Sequence, residues 1–186
     1  MRQGSGKMLL TDGEAVNIKM PVVYWADEIE GDGIPHYGVL EIDWASKLTY
    51  RRAVWSIARY FRREEGYDFV QYGHEGREDD LTHRAYLWLH PNGQPGYKVH
   101  AIGAGCFRKR PGYKDERAPP EFRIPHWAMQ WIWLHPYFRR QGLLSRAWPH
   151  FRKTFGDFEV EGPYSDAMVG FLKRQGNHNI ADAGAA

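Results

Sequence analysis

The stretch His126-Trp127-Ala128-Met129-Gln130-Trp131-Ile132-Trp133-Leu134 is rich in aromatic and aliphatic side chains and reads as a buried strand. The chain then turns through His135-Pro136-Tyr137-Phe138 into Arg139-Arg140-Gln141-Gly142. A helix is expected from there to about Phe155, with Leu144, Ala147, Trp148, Phe151 and Phe155 on one face. A strand that passes so quickly into a helix requires a sheet with that helix packed on it. The same junction is an anion site, because the first amides of a helix lack intrahelical acceptors and carry the positive end of its dipole. Gly142 lets a bulky anion approach the backbone, and Arg139 and Arg140 offer charge-assisted hydrogen bonds.

The rest of the chain supplies the sheet. Strands are expected at Val22-Val23-Tyr24-Trp25 and Tyr37–Trp44, separated by Gly31-Asp32-Gly33. Ala45–Glu65 places Leu48, Val54, Trp55, Ile57, Ala58 and Phe61 on one helical face, and Gly66 suits its end. Asp68–Tyr72 reads as another short strand. In the hairpin that follows, Ala85–His90 turns through Pro91-Asn92-Gly93 into Tyr97–Arg108. Arg108–Pro125 is charged, proline-bearing and aperiodic, and reads as a long loop. Phe158–Glu161 reads as a strand and Asp166–Gln175 as a helix ended by Gly176. A run of strands followed by strand–helix–strand–helix predicts an α/β (α+β) fold, with residues 1–186 forming one domain. The ends, 1–7 and 178–186, are expected to fray.

Composition narrows the partners. With 25 Lys and Arg against 23 Asp and Glu, the net charge of +2 provides no global field for nucleic acid. The lone cysteine, Cys106, excludes an intrachain disulfide and a cysteine-built zinc site, and within Ala101–Phe107 it reads as a packed strand residue. The 9 histidines show no ligand spacing, so no metal is expected. No apolar run approaches the ~18 residues that span a bilayer, and Met1–Lys7 lacks a signal peptide's apolar stretch. A cytoplasmic location without a membrane partner is expected.

Trp131–Leu144 resembles the acetyl-CoA-binding motif of the GNAT superfamily. There, a strand ending in a hydrophobic-x-Pro turn is followed by Gln/Arg-x-x-Gly-x-Gly/Ala at a helix start. Arg139 and Gly142 match the first two anchors, and Leu144 stands where the family prefers Gly or Ala. Ser165, Met168, Phe171, Leu172, Arg174 and Gly176 keep the register of the family's Asn-x-x-Ala-x-x-Leu-Tyr-x-Lys-x-Gly helix, with Gly176 the full match. Between Trp131 and Gly176, Trp-Leu-x-x-x-x-Arg-Arg-x-x-x-x-Ser-Arg, Phe-Gly-x-Phe and Gly162-Pro163-Tyr164-Ser165-Asp166 look like the C-terminal part of the cohesin acetyltransferases. Those enzymes modify lysines of a chromosomal protein.

The resemblance implies a GNAT-like mixed, largely antiparallel central sheet flanked by helices. It implies acetyl-CoA as co-substrate and transfer of acetyl to a primary amine, with a protein as the acceptor. The pantetheine arm would lie along Ile132, Trp133 and Leu134, where the sheet splays away from Phe158–Glu161. The phosphates would rest on Arg139, Arg140, Gln141, Gly142, Leu143, Leu144 and Ser145.

For catalysis, the family's glutamate base falls by spacing on Ala128. His126, two residues earlier on the same face, is a candidate base of the residue type used for proton transfer near neutral pH. Glu161, closing the next strand, is the preferred base. The tyrosine that protonates the thiolate in the family is replaced by Leu172, which leaves Tyr164 as the nearby substitute. Pro149 is expected to kink the helix. The Arg108–Pro125 loop, mixed in charge, suits a protein acceptor. Two other classes stay open. One is a nucleic-acid-binding or nucleic-acid-modifying protein, built on Arg51-Arg52, Arg62-Arg63, Arg108-Lys109-Arg110 and Arg139-Arg140 with exposed aromatics. The other is a catalytically inactive GNAT-like binding module, suggested by Ala128, Leu144 and Leu172.

Overall fold

A six-stranded sheet takes up most of the apolar stretches, in a computed structural model that describes residues 18–25, 39–75, 82–94, 96–115, 117–118, 120–162 and 164–176. The strands are β1 (Val22–Tyr24), β2 (Val39–Ile42), β3 (His83–Leu89), β4 (Lys98–Arg110), β5 (His126–Leu134) and β6 (Glu159–Val160). The helices are α1 (Leu48–Glu65), α2 (Leu143–Phe155) and α3 (Asp166–Arg174). Strand order is β2-β3-β4-β5-β6, with β1 paired to the start of β4. All pairs are antiparallel except β5 and β6, which run parallel with α2 as their crossover. A parallel neighbour needs such a long connection, whereas a hairpin serves an antiparallel one.

Period-two alternation gives the sheet two cores. Trp131 and Trp133 turn towards α1, stacking on Phe61 at 5.6 Å and on Tyr60 at 5.4 Å between ring centroids. Met129, Ile132 and Leu134 turn to the opposite face, against Trp148, Phe151 and Phe155 of α2 and Phe171 and Leu172 of α3. Among the described residues, no helix is long and apolar enough to cross a membrane.

Three expectations are corrected. The first helix starts at Leu48 rather than Ala45, because Asp43 and Ser46 bond to each other's amides and form a turn. Asp68–Tyr72 is not a strand: Val70 and Tyr72 pack on the α1-side core, and the Gln71 carbonyl accepts the Trp131 indole N–H at 3.0 Å. Arg108, Lys109 and Arg110 belong to β4, paired with Ala128, Trp127 and His126, so the loop starts at Pro111. Pro149 lies inside its helix. α2 continues through it, with the missing amide on the exposed side. Gly31-Asp32-Gly33, Tyr37 and the ends 1–7 and 178–186 lie outside the described residues.

Candidate active site

β5 carries a bulge. Cys106 pairs with Trp131 and Phe107 with Met129, which leaves Gln130 as the extra residue. At the same level β5 loses its partner on the other side. β6 pairs only Glu159 with Ala128 and Val160 with Met129, and the last ladder bond runs from the Glu161 amide to the Met129 carbonyl at 2.9 Å. Beyond it the two strands part, and among the described residues the outer edge of Gln130–Leu134 has no ladder partner. The slot between them is lined by Glu65, Tyr67, Gln130, Glu161, Tyr164 and Met168, among others, and its cavity of about 50 Å³ admits only a slender ligand. Of the residues expected along the arm, Ile132 and Leu134 are half-buried. The Trp133 side chain is committed to α1, donating its indole N–H to Glu64 Oε2 at 2.6 Å, so its backbone is what faces the opening.

The junction to α2 is a shaped loop. A 3-10 turn at Pro136–Phe138 leads to Arg140 at φ 62° and Gly142 at φ 75°. The left-handed conformation costs a non-glycine residue free energy, and strain of this kind collects at ligand sites. Among the described residues, the consecutive amides from Arg140 to Ser145 donate to no protein acceptor; the next, Arg146, bonds back to the Gly142 carbonyl at 3.0 Å. Such a run of free N–H groups at a helix start attracts an anion. Arg140 is exposed and has no ion-pair partner among the described residues, and Ser145 is exposed beside it. Leu143 is buried and Leu144 half-buried on the core side of the helix, so their amides rather than their side chains face the loop. Gln141 Nε2 bonds the Tyr137 carbonyl at 2.5 Å, and Arg146 bonds the Gln141 carbonyl at 3.1 Å, which adds a cation that sequence reasoning missed.

Arg139, also expected at the phosphates, reaches across to α1. Both its terminal nitrogens lie 2.7 Å from the Glu64 carboxylate, and its Nε bonds the Leu134 carbonyl at 2.8 Å. It ties the loop to α1.

The candidate acid–base residues fall in two groups. Glu161 and Tyr164 meet on the slot. Arg110 holds Glu161 in a two-pronged ion pair at 2.5 and 2.7 Å, and the Tyr164 hydroxyl donates to the Val160 carbonyl at 2.6 Å. His126 is buried away from the slot, with Nδ1 2.9 Å from the Ile124 carbonyl and Nε2 3.2 Å from Glu159. Tyr113 covers it and donates to the same Glu159 carboxylate at 2.8 Å. Glu65, Tyr67 and Gln130 were missed, because no periodicity marks residues that meet only across the slot. Burial, then the charges of Glu65 and Glu161, raise the Tyr67 hydroxyl above the ordinary tyrosine range. Burial, then Glu159 and Glu161, raise Tyr164 in the same direction. Both are therefore protonated at neutral pH and able to donate.

No protein-family model and no curated protein matches the chain. Solved structures do. The xEco2 acetyltransferase domain bound to a CoA conjugate superposes with a TM-score of 0.50 at 14% identity, over 73% of this chain and 85% of that one. The aminoglycoside acetyltransferase meta-AAC0020, from an uncultured soil metagenomic sample and in complex with trehalose, gives 0.50 at 12% identity, over 82% of this chain and 95% of that one. At such identities the likeness is one of architecture: the chain has a GNAT-like α/β fold, the fold of these acetyltransferases.

Proposed function

We propose that this chain is an acetyl-CoA-dependent N-acetyltransferase acting on a primary amine, with a protein lysine as the acceptor. The observation that carries the reading is one conjunction: strands that part at a bulge, next to a strand–loop–helix junction whose amides are unpaired. The free amides from Arg140 to Ser145 and the Arg140 guanidinium suit the phosphates of CoA. The open edge at Ile132, Trp133 and Leu134 suits an amide-bearing arm, since exposed ladder groups in a sheet require partners. Acetyl-CoA, when bound, supplies the activated acyl group.

The chain's own residues then position and move protons. Glu161 accepts the proton of the attacking amine, its carboxylate held in place by Arg110. A tyrosine hydroxyl supplies the proton to the leaving sulfur. Tyr67 is favoured over Tyr164, because Tyr164 already donates to Val160 whereas the Tyr67 hydroxyl has no partner among the described residues. Pro111, Gly112 and Tyr113 border an open hollow of about 460 Å³ with Arg110, Glu159 and Glu161 on its wall, and this hollow is assigned to the acceptor side.

Calorimetric titration with acetyl-CoA, followed by thiol release across lysine peptides and aminoglycosides, tests the reading. Absence of CoA binding refutes it. CoA binding without turnover on any amine favours a catalytically inactive binding module, a second reading motivated by Arg110 occupying Glu161. Turnover on aminoglycosides alone replaces the lysine acceptor.

A further inference from the structure

Gln130 stands out among the residues of the slot. It is the extra residue of the β5 bulge and lines the slot with Glu161 and Tyr67. Its Oε1 is shut off from solvent and accepts no hydrogen bond among the described residues. A buried oxygen without a donor destabilises the protein that holds it, and an apolar group of the same shape would be neutral or better there. Bulges beside active sites re-aim a side chain. Here the bulged residue carries an oxygen for which the described residues supply no donor.

We propose that Gln130 Oε1 receives an N–H of the acceptor amine, which makes Gln130 an acceptor-binding residue; the inference rests on the acetyltransferase reading above. The reacting end of an acetyl thioester has a sulfur, a carbonyl oxygen and a methyl group, and no donor at all. An accepting oxygen at this level of the slot is therefore matched by the other substrate. Being uncharged, the amide oxygen does not favour an ammonium over an amine as strongly as a carboxylate does. A primary amine has two N–H bonds to offer, one for Gln130 and one for the base, and keeps its lone pair for attack. The ligand class is thus a neutral primary amine, with a secondary amine disfavoured because it lacks the second N–H.

Two stable adducts of CoA isolate this contact without knowledge of the natural acceptor. One carries S–CH2–CO–NH–CH3 and the other S–CH2–CO–O–CH3, so they differ by N–H against O at the acceptor atom. Calorimetry on the wild type is expected to show the amide adduct binding at least about tenfold more tightly than the ester. Gln130→Leu is expected to bind both at the ester's affinity, to bind CoA as the wild type does, and to melt no lower without ligand. Equal affinity of the wild type for the two adducts overturns the inference, and is also the result if the amide is turned with Nε2 inward. A Gln130→Leu protein that melts lower than the wild type overturns it too, because the amide then serves the fold. A wild type that binds neither CoA nor either adduct refutes the acetyltransferase reading itself, a different failure from CoA binding without amide preference.

Discussion

The Arg139 guanidinium lies against the Glu64 carboxylate, while that of Arg140 stands exposed with no ion-pair partner among the described residues. Reversing the charge in Arg140→Glu is expected to weaken CoA binding by at least about tenfold, since charge-assisted bonds contribute roughly 1.5–3 kcal/mol each. The melting temperature should barely move. Arg139→Ala should act on the fold instead. It takes the guanidinium from a Glu64 carboxylate only 9% exposed and leaves it the Trp133 indole N–H, and unfolding free energy should fall by about 2–3 kcal/mol in a urea titration. Equal effects of the two variants on CoA affinity would contradict this division of roles. At the proposed base, Glu161→Gln should cut turnover about 10²-fold with CoA affinity intact, measured by thiol release and calorimetry side by side. Full turnover would show that the amine reaches the slot already neutral and needs no carboxylate.

At the level of elements, β4 and β5 approach so closely that Gly103 has no room for a methyl group. An added Cβ would lie 2.4 Å from Leu134 Cδ2 and, more stubbornly, 2.8 Å from the Trp133 carbonyl oxygen. Gly103→Ala is therefore expected to push β5 outwards, costing about 1–3 kcal/mol of stability and weakening the proposed CoA binding. A chain with unchanged melting and unchanged affinity would show that β5 shifts freely. Much of this architecture was legible in the residues themselves. His126–Leu134 and the apolar face of Leu143–Phe155 carry their periodicity locally, and both elements form where that periodicity places them. What escaped depends on partners far along the chain. Asp68–Tyr72 has strand-like composition, but its neighbour is the Trp131 indole rather than another strand. The bulge at Gln130 exists only in register with β4, and the fate of Arg139 is decided by Glu64, a separation of 75 residues. The loop and helix start at Arg139–Leu144 were visible in the motif, whereas Glu65, Tyr67 and Gln130 became candidate site residues only once the fold had brought them together.

For the molecule as a whole, two cores share one sheet, and tyrosines lie in and around both. Burial, reinforced by Glu41, raises Tyr86 well above the ordinary tyrosine range, and burial with Glu159 does the same for Tyr113. Above about pH 10 the unfolded chain releases these protons while the folded chain keeps them, so stability present below that pH is lost as pH rises. The limiting slope is about 1.4 kcal/mol per pH unit for Tyr86 alone. Urea midpoints should therefore decline from pH 10 upwards, and more gently in Tyr86→Phe; identical declines would show that Tyr86 ionises as freely folded as unfolded. The clamp between Glu64 and Arg139 bears on the rates of binding. With the loop fixed by α1 and by its two left-handed residues, its ordering entropy is met during folding rather than at ligand capture. Under the proposed CoA-binding role, capture of the polyanion is then limited by encounter, which Arg140 and Arg146 accelerate through their field and which salt slows. The lifetime of the complex depends instead on short contacts to the free amides, which salt screens far less.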